Sequence, residues 1–322
     1  MISQMTRREV LVASGAAMLA GCSVGGPPAQ KARVTILKAP AYDQNLYSIV
    51  RQLLEDQKLS VRGKHVVLKP NLVEFDASRP VNTHPIFAAA ALEGFRSLGA
   101  ASVRIAEGPG HRRDALDIAD AAGYFREIPG FEELFCDLNL DAVERVPLTQ
   151  PYSKLRELYL PRTLLGADLV VSLAKMKTHH WVGATLSMKN FFGTVPGGVY
   201  GWPKNILHWS GIPECISDLH TVFNKHFGLI DGVYGMQGNG PIQGDAKFCG
   251  VIAGSRDLPA LDATCCRIMG MDPSRLKYLE YSAKAGQLQA ENVEQSGETI
   301  ASVQTDFELF GDFREWRLRP VI

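Results

Sequence analysis

Residues 169–174, LVVSLA, form an apolar run that is short and β-branched enough to be a buried strand. Polarity then changes abruptly through Lys175, Lys177, Thr178, His179 and His180. Residues 185–190, TLSMKN, follow and read as a helix start with a hydroxyl cap. A buried strand that empties into basic and hydroxyl side chains, then a helix start, is suited to holding an anion. Backbone N–H groups at the helix start and the lysine ammonium groups both favour negative charge there.

Around this segment strand-like and helix-like patterns alternate. Strands are expected at 34–37, 65–68, 102–106, 227–230 and 248–253. Helices are expected at 42–58, after a Thr83 or His84 cap, at 114–122, at 212–226 and after an Asp257 cap. Between 124 and 161 the pattern loosens into short strands or edge pieces. Residues 193–205, GTVPGGVYGWPKN, read as a Gly/Pro/aromatic loop of the kind that is usually functional. The tail is polar after Gln289, then strand-like at 300–310. The expected fold class is therefore α/β, with a predominantly parallel or mixed sheet and helices on both faces. The division is a leader at 1–21, a linker at 22–33, one α/β domain at 34–290 and a tail at 291–322.

In such sheets ligands sit beyond the carboxyl ends of the strands. The expected strands end in Lys69 with Asn71, in Glu107, in the Lys175–His179 group, and in Asp231. Parallel neighbours would bring these ends to one edge. Lys175 and Lys177, two apart on an extended segment, would share a side and clamp a carboxylate or phosphate. His179 and Glu107 suit proton transfer. A metal site drawn from Glu107, His111, His179 and Asp231 is another use of the same residues. Glu107 and Asp231 have the alternative of simply pairing with lysine, and Asp262 that of a structural hydrogen bonder. The Gly238-Asn239-Gly240 loop can bring bare backbone to a ligand. The chain holds no P-loop, dinucleotide fingerprint, H-E-x-x-H or G-x-S-x-G motif.

Thirty-four basic residues balance thirty-four acidic ones, which argues against a nucleic-acid partner. Arg7 and Arg8 precede a mildly apolar stretch at 10–20, the pattern of a twin-arginine export signal. Leu19-Ala20-Gly21-Cys22 resembles a lipoprotein processing site, with Cys22 as the lipidated residue. The expected location is the periplasm or cell envelope, with contact to the membrane through the Cys22 lipid. The other cysteines, Cys136, Cys215, Cys249, Cys265 and Cys266, form no C-x-x-C pair, so an iron–sulfur cluster is not expected.

Several ordered motifs together resemble one family. They are VLKPNLV at 67–73, THP at 83–85, EGPG at 107–110, KMKTH at 175–179 and SMKNFFG at 187–193, then IDGV at 230–233, MQGNGP at 236–241 and DLPALDA at 257–263. This set is similar to the domain of unknown function 362 family, over about residues 34–285. That family has no generally assigned reaction. Some members carry ferredoxin-like cysteine clusters, which this chain lacks. The motifs coincide with the strand ends and nominate Lys69, Asn71, Glu107, Lys175, Lys177, Thr178, His179, Lys189, Asn190, Asp231, Asn239 and Asp262 as site residues. The expectation is an exported enzyme acting on a small anionic substrate or organic cofactor, with redox, isomerisation and hydrolysis all open. Lys175, Lys177 and Lys189 would hold the anion, His179 and Glu107 would move protons, and the 193–205 loop would close over the site. The alternative is a cell-envelope ligand- or metal-binding lipoprotein without catalysis.

Overall fold

The computed structural model describes residues 31–111, 113–283 and 288–318, so the Arg7-Arg8 and Cys22 expectations lie outside the described residues. The 169–174 run becomes the first half of β7 (Leu169–His179), which lies inside a nine-stranded sheet. The other strands of that sheet are β1 (Ala32–Lys38), β2 (His65–Pro70), β3 (Ser102–Glu107), β4 (Phe135–Asp137), β8 (Gly183–Thr185), β9 (His226–Gln237), β10 (Asp245–Ser255) and β11 (Val293–Gly297). A separate two-stranded ribbon is made by β5 (Val143–Pro147) and β6 (Glu157–Pro161). Spatial order is β11-β1-β10-β9-β7-β2-β3-β4, with β8 folded back on β7. β4, β3, β2, β7 and β9 are mutually parallel, while β10 runs against both β9 and β1. The sheet is thus mixed and mostly parallel.

Alternate residues of β7 serve opposite faces, as a pleated strand requires. Leu169, Val171 and Leu173 join Leu53, Phe87 and Phe95 from the Asn45–Asp56 and Pro85–Ser97 helices. Val170, Ala174 and Met176 join Ile216, Leu219, Leu258 and Leu261 from the Ile212–Val222 and Leu258–Ile268 helices. Helices therefore cover both faces, and each fully buried Leu or Phe contributes about 2 kcal/mol through removal from water. The helix starts follow local chemistry. His84, rather than Thr83, caps the second helix through Nδ1, which accepts from Ile86 N at 3.2 Å. Asp257 accepts from Ala260 N at 2.9 Å.

Four expectations change. β7 does not stop at Ala174, because β8 pairs back on Lys177, Thr178 and His179 and keeps them extended. β9 likewise runs through Asp231 to Gln237, since the antiparallel β10 supplies partners along its length. Asp231 is therefore a mid-strand residue rather than a strand end. In the tail the strand is β11, which adds in parallel to the free edge of β1, and residues 300–303 form a helical turn. The apolar Val303, Phe307 and Leu309 are buried as side chains. Finally, the Ser187–Asn190 helix has no hydroxyl cap. The Asp262 carboxylate, from the Leu258–Ile268 helix, accepts from Ser187 N at 2.9 Å and Met188 N at 3.0 Å, and also from the Ser187 hydroxyl.

Asp262→Ala would leave two buried N–H groups without acceptors. Urea unfolding is expected to show a loss of about 3 kcal/mol, with Asp262→Asn retaining part of it.

Candidate functional site

The carboxyl ends of β2, β3 and β7 open onto a cavity of about 180 Å³. Its walls carry seven of the nominated residues: Lys69, Asn71, Glu107, Lys177, His179, Lys189 and Asn190. Lys204, His208, Thr185 and the apolar Leu72, Trp181 and Phe192 complete much of the lining.

Lys69 and Glu107 end adjacent parallel strands and form a buried ion pair at 2.8 Å. Lys69 Nζ also donates to Pro70 O at 3.0 Å and to Asn190 Oδ1 at 3.1 Å. Glu107 accepts in addition from Leu72 N at 3.0 Å and Gly108 N at 2.9 Å. Burial pulls the lysine down and pushes the carboxyl up, and each partner opposes the shift of the other. With three donors on it, Glu107 is committed to holding Lys69 and closing the β3 turn. Two glycines make room for this. A Cβ at Gly193 would lie 2.4 Å from Glu107 Oε1 and 2.7 Å from Lys69 Nζ. A Cβ at Gly108 would lie 2.9 Å from Gly193 O.

Asn190 links this pair to the helix layer. Ser172 donates its hydroxyl proton to Ser187 O at 2.9 Å, so its oxygen is free to accept from Asn190 Nδ2 at 3.0 Å. The same amide nitrogen donates to Lys69 O at 3.0 Å. Asn190 Oδ1 must then face Lys69 and Asn71. Asn71 meets it with Nδ2 at 3.2 Å, and its own Oδ1 is left buried without a donor. Thr185 Oγ1 and His111 Nδ1, on the same cavity, are buried without a partner as well. Unsatisfied buried polar atoms are costly, so such a group at a cavity wall marks a place for a ligand or water.

Three further lysines line the cavity, and none of them meets a carboxylate among the described residues. Lys177 Nζ donates to Val81 O at 2.7 Å and Pro241 O at 3.2 Å. Burial, then the charges of Lys175 and Lys189, push it well below the usual lysine range. Burial and the Lys69 charge lower Lys189 to about 7. Burial lowers Lys204 to about 7 as well. Lys204 is buried at a left-handed φ of 66° and donates to Asn139 Oδ1 at 2.8 Å and to Val195 O.

The tautomers of the imidazoles follow from their partners. His179 Nδ1 accepts from Trp181 N at 3.1 Å, so the proton sits on Nε2. Burial, then the Lys189 charge, hold this ring well below the usual histidine range. His208 Nδ1 faces Lys204 O at 2.9 Å and His180 Nδ1 faces Gly240 O at 2.7 Å, so each donates there, and the neutral form of each ring has its lone pair on Nε2. The cavity thus offers one ring as donor and two as acceptors.

The remaining nominated residues lie elsewhere. Lys175 does not join Lys177 in a clamp, because a β-bulge separates their pairing with β9. Its ammonium donates to Asp231 at 2.9 Å and to Tyr42 Oη at 2.8 Å, beside a His84 ring stacked on Tyr42 at 3.6 Å. Asp231 also accepts from Tyr42 Oη at 2.7 Å and His84 N at 3.0 Å. Thr178 Oγ1 donates to Gly238 O at 2.8 Å and ties down the glycine-rich loop. Asn239 is engaged with Gln243 at 3.1 Å, outside the cavity. Asp262 occupies the Ser187 helix start, the place expected for a bound anion. The 193–205 segment is not a free loop but short helical turns that carry Lys204 into the wall. Among the described residues no group of three or more His, Cys, Asp or Glu is placed to hold a metal ion. Sequence reasoning missed Lys204, His208 and Tyr42. The glycines and prolines around Lys204 signalled a loop, and a lone lysine there has no periodicity to mark it.

A mixed α/β fold with a lysine-lined cavity at its strand ends defines the class. Residues 66–267 match the family described as Domain of unknown function (DUF362), and the chain belongs to that family. It is 27% identical over 266 residues to the thylakoid-associated protein sll1697 of Synechocystis sp., covering 79% of each chain. Among solved structures, the lactate racemase apoprotein from Thermoanaerobacterium thermosaccharolyticum aligns with a TM-score of 0.47 and 16% identity, over 75% of this chain and 57% of that one. A Thermotoga maritima protein aligns with a TM-score of 0.36 and 15% identity, over 76% of this chain and 60% of that one. This chain therefore spans less than two thirds of either structure.

Gly193→Ala drives a methyl group into the Lys69–Glu107 pair. A stability loss of about 3 kcal/mol is expected in denaturant unfolding, against an effect of about 0.5 kcal/mol or less for Gly198→Ala, where a Cβ meets open space.

Proposed function

We propose that this protein is an exported, envelope-held enzyme that binds a small anionic substrate or organic cofactor in the lysine-lined cavity. The observation that carries the reading is an imbalance of charge. Four lysines line one small cavity, and the carboxylate among them, Glu107, is already saturated by Lys69 and two backbone amides. A bound anion supplies the missing countercharge. His179 Nε2–H donates to it, and the lone pairs of His180 and His208 accept protons. The unpartnered Asn71 Oδ1 favours a ligand that also carries a donor, such as a hydroxyl or ammonium group.

Export and anchoring are supported by the Arg7-Arg8 pair and by the 19–22 processing pattern. The relative's name, thylakoid-associated, agrees with a protein held at a membrane. Among the described residues no helix is long and apolar enough to cross one. A lipid on Cys22 would be a means of attachment. A binding lipoprotein without turnover is the second reading, favoured by the commitment of the Glu107 carboxylate to Lys69 and two backbone amides. Incubation with ligand and detection of product separates the two.

Lys204 loses its proton as the pH rises through about 7, and a bound anion raises its affinity for protons again. Binding is therefore expected to take up protons and to weaken above pH 7, by up to about tenfold per pH unit for each lysine involved. Titration calorimetry with pyruvate, succinate, glycerol phosphate and inorganic phosphate, at pH 6 and pH 8 in two buffers, measures both effects. Lys177→Met is expected to weaken binding at least about tenfold. No saturable binding of any of these anions, or affinity indifferent to pH and to Lys177, would sink the reading.

A further inference from the structure

The four cavity lysines are not equivalent. Lys69 is locked to Glu107, Lys177 to two backbone carbonyls, and Lys204 to Asn139 and a carbonyl. All three are buried to 2% exposure or less. Lys189 differs in each respect. It is part-exposed, and its Nζ has no hydrogen-bond acceptor among the described residues. The nearest feature is the face of Phe192, 3.9 Å from the nitrogen to the ring centroid. Its backbone is nonetheless firmly set, in the helical turn clamped by Asp262 and followed by the doubly anchored Asn190. A rigidly mounted amine without a hydrogen-bond acceptor, beside a cation that opposes the charge the Phe192 face favours, is the arrangement that leaves a lysine available as a nucleophile.

We propose that Lys189 forms a Schiff base with a small 2-oxo acid bound in the cavity. This deepens the anion-binding reading and rests on it. The carboxylate of the 2-oxo acid takes the place of the missing countercharge, which leaves the adjacent carbonyl carbon for the free amine. The Nζ lone pair adds to that carbon. The carbonyl oxygen then departs as water with the two amine hydrogens, and a C=N bond remains. No oxidant or further reactant is needed. The lowered proton affinity of Lys189 supports the step, since an ordinary lysine is almost wholly protonated at neutral pH. The imine would weaken the C–H bond next to it, and the nearby imidazole lone pairs suit removal of that proton.

The test is reductive trapping. The folded protein is incubated with pyruvate and sodium borohydride, and the product is read by intact mass and peptide mapping. One reduced pyruvate adduct per chain is expected, on the peptide carrying Lys189, and absent from Lys189→Arg. The trapping rate should rise with pH to about 7 and then level off, whereas exposed lysines continue to gain reactivity toward about pH 10. No adduct, or adducts spread over surface lysines alike in wild type and Lys189→Arg, would overturn the proposal. Mapping on the wild type decides this even if the variant folds poorly. Succinate binding, measured in parallel, separates the two levels. If succinate binds and pyruvate is not trapped, the Schiff base alone fails. If none of succinate, pyruvate, glycerol phosphate and inorganic phosphate binds, the anion-site reading falls with it.

Discussion

The buried pairing of Lys69 with Glu107 is the constraint on which the site depends. Two ions withdrawn from water are costly, and their attraction offsets that only with close geometry and satisfied remaining lone pairs. The fold meets these terms from four directions. Parallel pairing of β2 and β3 sets the two strand ends side by side. Leu72 N and Gly108 N complete the carboxylate, and Asn190 takes a further ammonium hydrogen. The bare Gly193 and Gly108 let the 190–194 turn close against the pair. Loss of any one leaves an ion short of a partner in a place where water does not easily replace it.

The consequences spread outward by hydrogen-bond direction. Because Lys69 occupies Asn190 Oδ1, the Asn190 amide has a single allowed orientation, and so does Asn71. An unsatisfied carbonyl oxygen is thereby forced into the cavity wall. Satisfying the ion pair and turning an unpaired acceptor toward the cavity are the same event. The positive charge has a similar origin. Glu107 neutralises Lys69 and has nothing left for Lys177, Lys189 or Lys204, so burial lowers the proton affinity of these three.

Much of the architecture was legible because periodicity and strand-end polarity are local signals. The 169–174 run, the Asp257 cap and the alternation of strands with helices each depend on neighbours in the chain. Lys69, Glu107, Lys177 and His179 could be placed near one another by the rule that parallel strands share a carboxyl end, and Lys189 came from the 187–193 motif. Partnerships across the sheet were not legible. Lys175 and Lys177 look alike in sequence, yet the bulge opposite β9 gives one a carboxylate and the other two carbonyls. The Ser187 helix start looks like an anion site, but the acceptor there is the Asp262 carboxyl, seventy-five residues away in the chain and pushed up to about 7 by burial. Lys204 escaped because only tertiary packing turns a polar loop residue inward.

The contrast between the two buried ion pairs argues for what each is for. In the Lys175–Asp231 pair both ions are enclosed by the protein's own donors, namely Tyr42 Oη and His84 N, and the Tyr42 ring is covered by His84. Its partners come from strands β7 and β9 and from two helix starts, so its effect is to pin the helical layer to the sheet. The Lys69–Glu107 pair is as well satisfied, yet it is bordered by groups that are not: an amide oxygen, a threonine hydroxyl, and lysines without carboxylates. Each unsatisfied polar atom costs about 1–3 kcal/mol, and three of them lie on this cavity wall. Asn71 Oδ1, Thr185 Oγ1 and His111 Nδ1 share one cavity wall, whereas other such atoms, Thr264 Oγ1 and Tyr278 Oη among them, do not line it.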